Sequence, residues 1–192
     1  MSDIISAMKA RFSTRKFEST PLTPEEIEVF KEAALSAPTA RDVQELRFSF
    51  VTNQELITKI AGRTLASRQG DVAGSYPADA ASKIFYGAPT VIVITGFDNP
   101  EGLPLEKQRS NRTPLDAGIA VQNLALAAES LDLGSCIIVC CEPAFSGPGS
   151  EELKEALHMV DRESFWIALA VGHKATSKEP HTPKLDPFRF ID

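Results

Sequence analysis

The stretch Val91-Ile92-Val93-Ile94 is unbroken apolar sequence. A short run of this kind, bounded by turn residues, predicts a strand buried on both faces. Two further runs, SCIIVCC at 135–141 and FWIALAVG at 165–172, predict two more buried strands. RFSFVT at 47–52 alternates polar and apolar positions, as a half-buried strand does. Elsewhere the period lengthens. Ser2 can cap a short helix through Ala10 with Ile4, Ile5 and Met8 on one face. Thr23-Pro24-Glu25-Glu26 combines a cap, a Pro at the first helical position and a Glu three residues after the cap. That helix should run to about Ser36 and stop before Pro38. NQELITKIAG at 53–62 predicts a helix closed by Gly62, and residues 63–76, without a firm period, predict a mobile surface segment. ADAASKIFY at 78–86 and EELKEAL at 151–157 are short helical pieces.

Thr113-Pro114-Leu115-Asp116 repeats the capping logic and opens the longest helix, to about Leu131. Its body, AGIAVQNLALAAES, is apolar almost all round, so it should be buried on most sides. In a chain of 192 residues a second subunit can supply part of that burial. The tail from about 173 to 192 carries three prolines and no period, and should be extended. Neither a repeat nor a dividing linker interrupts the chain, so residues 1–192 read as one domain. Helices and strands mix without strict βαβ alternation, which predicts an α+β fold.

Composition narrows the classes. Hydrophobic residues are 43% and charged residues 24% of the chain, enough apolar material for a core. The formal net charge of −6 argues against gripping nucleic acid, which needs a broad basic face. No apolar run approaches the roughly 20 residues of a membrane span, and MSDIISAMKARF lacks the apolar centre of a signal peptide. Cys136, Cys140 and Cys141 are an odd, clustered set and form no disulfide framework, so a reduced, cytoplasmic protein is expected.

Against this acidic background RFSTRKF, 11–17, crowds Arg11, Arg15 and Lys16 around Ser13 and Thr14. In an extended segment alternate residues point the same way, so Arg11, Ser13 and Arg15 could converge on a phosphate or another anion. The plainer reading is a solvated loop whose charges pair with surface carboxylates, and the segment alone favours it.

Three further stretches change that balance. They are AALSAPTARDVQ at 33–44, PLDAGIAVQNLALAAESLDLGSCIIV at 114–139 and IALAVGHK at 167–174. In this order and spacing, from Ile4 to about Arg189, the chain resembles the FMN-dependent nitroreductase family. The resemblance implies a three-layer α+β sandwich, with helices on both faces of a mixed, mainly antiparallel sheet of four or five strands. It also implies an intertwined homodimer with FMN at the interface. Arg11 and Ser13 match positions that hold the FMN phosphate, and Phe12 between them is counted with the cofactor-binding set. Arg15 matches the position near flavin N1 and the C2 carbonyl, where it would stabilise the anionic reduced cofactor. Pro38, Thr39 and Ala40 match a segment that packs on the partner subunit's flavin. Ile138 and Val139 fall where a strand passes the isoalloxazine, and Lys184 where a basic residue often meets the phosphate.

The implied activity is NADH- or NADPH-dependent reduction of a nitroaromatic, a quinone or a similar small acceptor by a ping-pong mechanism. The flavin carries the chemistry, and no side-chain acid or base is assigned. A flavin or quinone reductase without a nitro substrate is one alternative, and a non-catalytic FMN-binding stress-response dimer is another. The departures from the family pattern bear on redox potential and substrate choice. Asp42 stands for the usual Asn, Glu45-Leu46 replaces an aromatic, and Val139 replaces a Gly. Other chemistries find little support: no G-x-G-x-x-G follows a predicted strand, and His158, His173 and His181 lack metal-ligand spacing. Cys140-Cys141 reads as a buried pair of small hydrophobes.

Overall fold

The computed structural model describes residues 4–68, 79–97, 113–179, 182 and 188–191. Its sheet has four strands: β1 (Arg47–Val51), β2 (Thr90–Phe97), β3 (Leu133–Ile138) and β4 (Glu163–His173). The order is β1-β2-β4-β3, and every neighbouring pair is antiparallel. The expected mixed character is absent from these strands. A parallel element enters only as an isolated bridge between Ser13 and Ser135.

The continuous apolar run in β2 follows from helices on both faces. Val91 and Val93 pack beneath α3 (Gln54–Arg68), α4 (Ala80–Ile84) and α6 (Glu151–Ala156), with Ile57, Ile60, Ile84 and Leu153. Ile92 and Ile94 face α2 (Pro24–Leu35) and α5 (Thr113–Ser130), meeting Phe30, Ala120 and Leu124. Each fully buried aliphatic side chain contributes on the order of 1.5–3 kcal/mol, so an Asp at 92 or 94 would break the sheet's central layer. The short α1 (Ile4–Ala10) completes the described helices.

Helix α2 begins as expected. Glu26 N–H donates to Thr23 Oγ1 at 3.2 Å, and Thr23 N–H donates to Glu26 Oε2 at 2.7 Å. Helix α3 differs from expectation: it passes through Gly62 to Arg68, so residues 63–68 are helical rather than a surface loop. A mid-helix Gly loses roughly 1 kcal/mol relative to Ala. Packing outweighs that loss, because Ile60, Ala61 and Thr64 are fully buried. Arg63 also ties the helix down, donating to the carbonyls of Ala144 at 3.0 Å and Pro148 at 3.1 Å.

Strand β3 also departs from its predicted 135–141. It starts at Leu133, because Gly172 and His173 extend the β4 ladder opposite Gly134 and Leu133. It ends at Ile138, after which the chain enters a 3₁₀ turn at Glu142–Phe145 containing Pro143. Helix α5 buries Ala117, Ala120, Val121, Leu124, Ala125 and Ala128 against the sheet. Its opposite side is open: Leu115 is 68% and Ile119 41% exposed. These two residues line an apolar groove of about 600 Å³ with Pro114, Gly118, Gln122 and Asn123.

Candidate functional site

Residues 11–17 leave α1, whose last turn accepts Arg11 N–H at Ala7 O, 2.9 Å away. They then dock on the free edge of β3. Thr14 N–H donates to Ser135 O of β3 at 2.9 Å; just past the segment, Glu18 N–H donates to His173 O at the end of β4, at 3.0 Å. This docking sets the direction of alternate side chains. Thr14 turns inward and is fully buried against Gly134. A Cβ at 134 would lie 2.7 Å from both Thr14 Cγ2 and Oγ1, so only glycine allows the approach. Phe12 lies under the Lys174 ammonium, 6.0 Å from ring centroid to nitrogen. Lys174 also bonds Asp132 at 3.0 Å and Glu129 at 3.2 Å. Burial pulls its pKa down, but the two carboxylates outweigh that and hold it above the usual lysine value.

Arg11, Ser13 and Arg15 take the other direction and gather around Cys136. Burial pushes the Cys136 thiol up. Arg15, a hydrogen bond from Ser13 and the charge of Arg11 act against it, without reversing the shift. Arg15 lies over the Tyr86 ring, 5.8 Å from its centroid. A hydrogen bond to Tyr86 is the largest influence holding its guanidinium above the usual arginine range, with Cys136 next. Tyr86 has φ 58° and is followed by Gly87 at φ 73°, a turn that swings the ring beneath the guanidinium. Among the described residues neither Arg11 nor Arg15 has a carboxylate within ion-pair distance. Two arginines with no carboxylate partner among the described residues, and the Ser13 hydroxyl between them, can take an anion with charge-assisted hydrogen bonds.

Pro38, Thr39, Ala40 and Asp42 occupy a second location. Ala40–Asp42 forms a 3₁₀ turn, and Arg41, Asp42 and Gln44 have φ of 57°, 57° and 51°. Left-handed backbone at non-glycine residues costs on the order of 1 kcal/mol each, so braces must hold this loop. Gln44 N–H donates to Thr39 Oγ1 at 3.0 Å, and Asp42 N–H donates to Thr39 O at 3.0 Å. Gln44 Nε2 donates to Asp42 Oδ1 at 2.6 Å. Ala40 N–H donates to both oxygens of Asp116, at 3.2 and 3.1 Å. The Asp42 carboxylate is exposed and faces Gln44 within the loop.

One chain does not bring these two groups together. The loop is fastened to the first turn of α5 at Asp116, whereas Phe12 lies under Lys174, which bonds Glu129 in the last turn. From residue 116 to 129 the helix rises about 20 Å. The sheet agrees: β1, entered from the loop, and β3, which carries Ser13, are its opposite edges. Ile138 is buried at the end of β3 on the Cys136 face, Val139 is 64% exposed just beyond it, and Lys184 lies outside the described residues. Sequence reasoning missed Tyr86, Cys136 and Asp116. A Gly after Tyr86 is a signal for a turn, but it does not reveal which way the ring faces.

The profile of the nitroreductase family matches residues 8–173. This chain belongs to the nitroreductase family. A Methanothermobacter thermautotrophicus protein provisionally named an NADH dehydrogenase/NAD(P)H nitroreductase is 30% identical over 133 residues, 69% of this chain. The FMN reductase (NADPH) of Bacillus subtilis is 27% identical over 96% of it. The chain spans 59% and 72% of the lengths of these two relatives. Among solved structures, a Desulfitobacterium hafniense nitroreductase with bound FMN superposes with a TM-score of 0.80 at 28% identity, each chain covered fully. A Bacteroides fragilis nitroreductase with bound FMN gives 0.79 at 20% identity over both full chains, a likeness of fold. The expected α+β sandwich is therefore the fold of this chain. No helix among the described residues is long and apolar enough to cross a membrane.

Proposed function

We propose that this chain is an FMN-dependent NAD(P)H oxidoreductase acting on nitroaromatic, quinone or similar small acceptors. The observation that carries the reading is the placement of Arg11, Ser13 and Arg15 around Cys136 at the edge of β3, with no described carboxylate paired to either arginine. The donor set fits the cofactor: Arg11 and Ser13 offer charge-assisted bonds to a phosphate, and Arg15, steadied by Tyr86, offers a fixed positive charge to the ring. Bound FMN supplies hydride and electron transfer between the nicotinamide and the acceptor. Ile138 and Val139 would flank its ring, and Lys184 would add a cation at the phosphate.

The site needs two chains. Pro38, Thr39, Ala40 and Asp42 stand about 20 Å along α5 from the cation segment, so they would meet the cofactor of a partner subunit. The open apolar side of α5 at Leu115 and Ile119 supports a homodimer formed across it. The free cysteines suit a reducing cytoplasm. Similarity to the B. subtilis FMN reductase over 96% of the chain supports a second reading, in which free flavin is the acceptor. Purified protein should release FMN on denaturation and oxidise NADH or NADPH faster when an acceptor is added. Comparing nitrofurazone, menadione and free FMN ranks the acceptors. FMN without NAD(P)H oxidation would mark a cofactor binder, and the absence of FMN would overturn the reading.

A further inference from the structure

We infer that Asp116 is a positioning residue of the cofactor site, holding residues 39–44 in the shape that meets the partner subunit's cofactor. The inference rests on the flavin reading above. Asp116 is only 6% exposed, and both of its carboxylate oxygens accept from Ala40 N–H. This contact fastens the loop to a residue 76 positions away in sequence. The braces from Thr39 to Asp42 and Gln44 and from Gln44 to Asp42 are internal and cannot by themselves fix the loop's place on the fold. Asp116 also lies in the first turn of α5, where free backbone N–H groups favour a negative charge. The helix thus stabilises the carboxylate that holds the loop. Burial makes the arrangement specific: an Asn could present a single oxygen without the charge, and an Ala would leave Ala40 N–H without its acceptor.

Arg41, Asp42 and Gln44 all have positive φ, so a loop released from Ala40 has more extended conformations to relax into. Relaxation would carry Asp42 and Thr39 away from the partner's cofactor, although Asp116 touches neither. The role therefore predicts a loop effect in the cofactor-free protein and a cofactor effect in the loaded one.

The test uses Asp116→Asn and Asp116→Ala in the full chain. Amide exchange of Ala40, read by NMR on cofactor-free protein, should accelerate at least tenfold in Asp116→Ala and less in Asp116→Asn. Far-UV circular dichroism should remain that of the wild type. In the loaded protein FMN should dissociate about tenfold more readily from Asp116→Ala, and its midpoint potential should move. Asp116→Asn should retain part of both properties. Unchanged exchange at Ala40, or faster exchange with wild-type FMN affinity and potential, would overturn the positioning role alone. A wild-type chain that takes up no FMN would overturn the flavin reading and this role with it. If Asp116→Ala does not fold, Asp116→Asn decides on the same two readouts.

Discussion

Gly134→Ala perturbs the cation segment without touching a cation. The new Cβ would sit 2.7 Å from Thr14 Cγ2, 2.7 Å from Oγ1 and 2.9 Å from Cβ. Ordinary contacts between such atoms begin near 3.5 Å, so Thr14 has to retreat by roughly 0.5–1 Å. Rotation offers little relief, because Thr14 is β-branched and fully buried. The retreat must therefore move its backbone, which is bonded to Ser135 O at 2.9 Å, and with it Arg11, Ser13 and Arg15. Overpacking of this kind costs about 1–3 kcal/mol of stability. Loosening one charge-assisted bond to a phosphate should weaken FMN by about tenfold, or ~1.4 kcal/mol.

Thr14→Ala provides the control. It removes two of the three clashing atoms, and Thr14 Oγ1 has no partner to lose. Its own effect should stay within about 1 kcal/mol, since relief of an orphaned hydroxyl offsets a lost methyl. In that background Gly134→Ala should cost at least about 1 kcal/mol less than in the wild type. Urea denaturation and flavin-fluorescence titration of the four proteins measure both quantities. A Gly134→Ala effect below about 0.5 kcal/mol with wild-type FMN affinity would refute the packing argument. An equal effect in the Thr14→Ala background would refute it too.

Other consequences follow from the same cluster and loop. Arg11→Ala should weaken FMN by about 1.5–3 kcal/mol and leave riboflavin, which lacks the phosphate, unchanged; equal losses for both ligands would remove Arg11 from the phosphate. Asp42→Asn should raise the flavin midpoint by about 20 mV, from ~1 kcal/mol of like-charge interaction in a two-electron couple. Potentiometric titration with an unmoved midpoint and unchanged FMN affinity would take Asp42 out of the site. Burial holds the Cys136 thiol above its usual pKa, so it stays protonated through neutral pH and for some distance into mildly alkaline solution. Iodoacetamide should therefore spare Cys136 in folded protein near neutral pH, and mass spectrometry showing it alkylated as fast as a free thiol would contradict that environment.

Local devices were legible in the sequence. The Thr23–Glu26 capping box involves residues three apart, and both of its hydrogen bonds form. The apolar runs became β2, β3 and β4 because each faces helices or sheet on both sides. Alternation in RFSTRKF predicts that Arg11, Ser13 and Arg15 share a direction, and all three act on the Cys136 thiol. What escaped was decided by partners distant in sequence. Helix α3 crosses Gly62 because Arg63 reaches carbonyls 81 and 85 residues away, which no local pattern encodes. Asp116 looked like part of a cap, yet its carboxylate serves Ala40, 76 residues earlier. Tyr86 meets Arg15 only because α4 ends in a left-handed turn. Alternation settles direction within one segment, whereas a site assembled from several elements depends on how the sheet orders them.

The central claim is that the cation segment of one chain and the 38–44 loop of another form a single FMN site. Sedimentation velocity followed at the flavin absorbance near 450 nm tests it directly, because only cofactor-bearing species are seen. The account predicts that all flavin absorbance sediments with a particle of twice the 20.8 kDa chain mass, and that dilution to monomer releases the flavin. Flavin absorbance that remains with a 20.8 kDa species would contradict it.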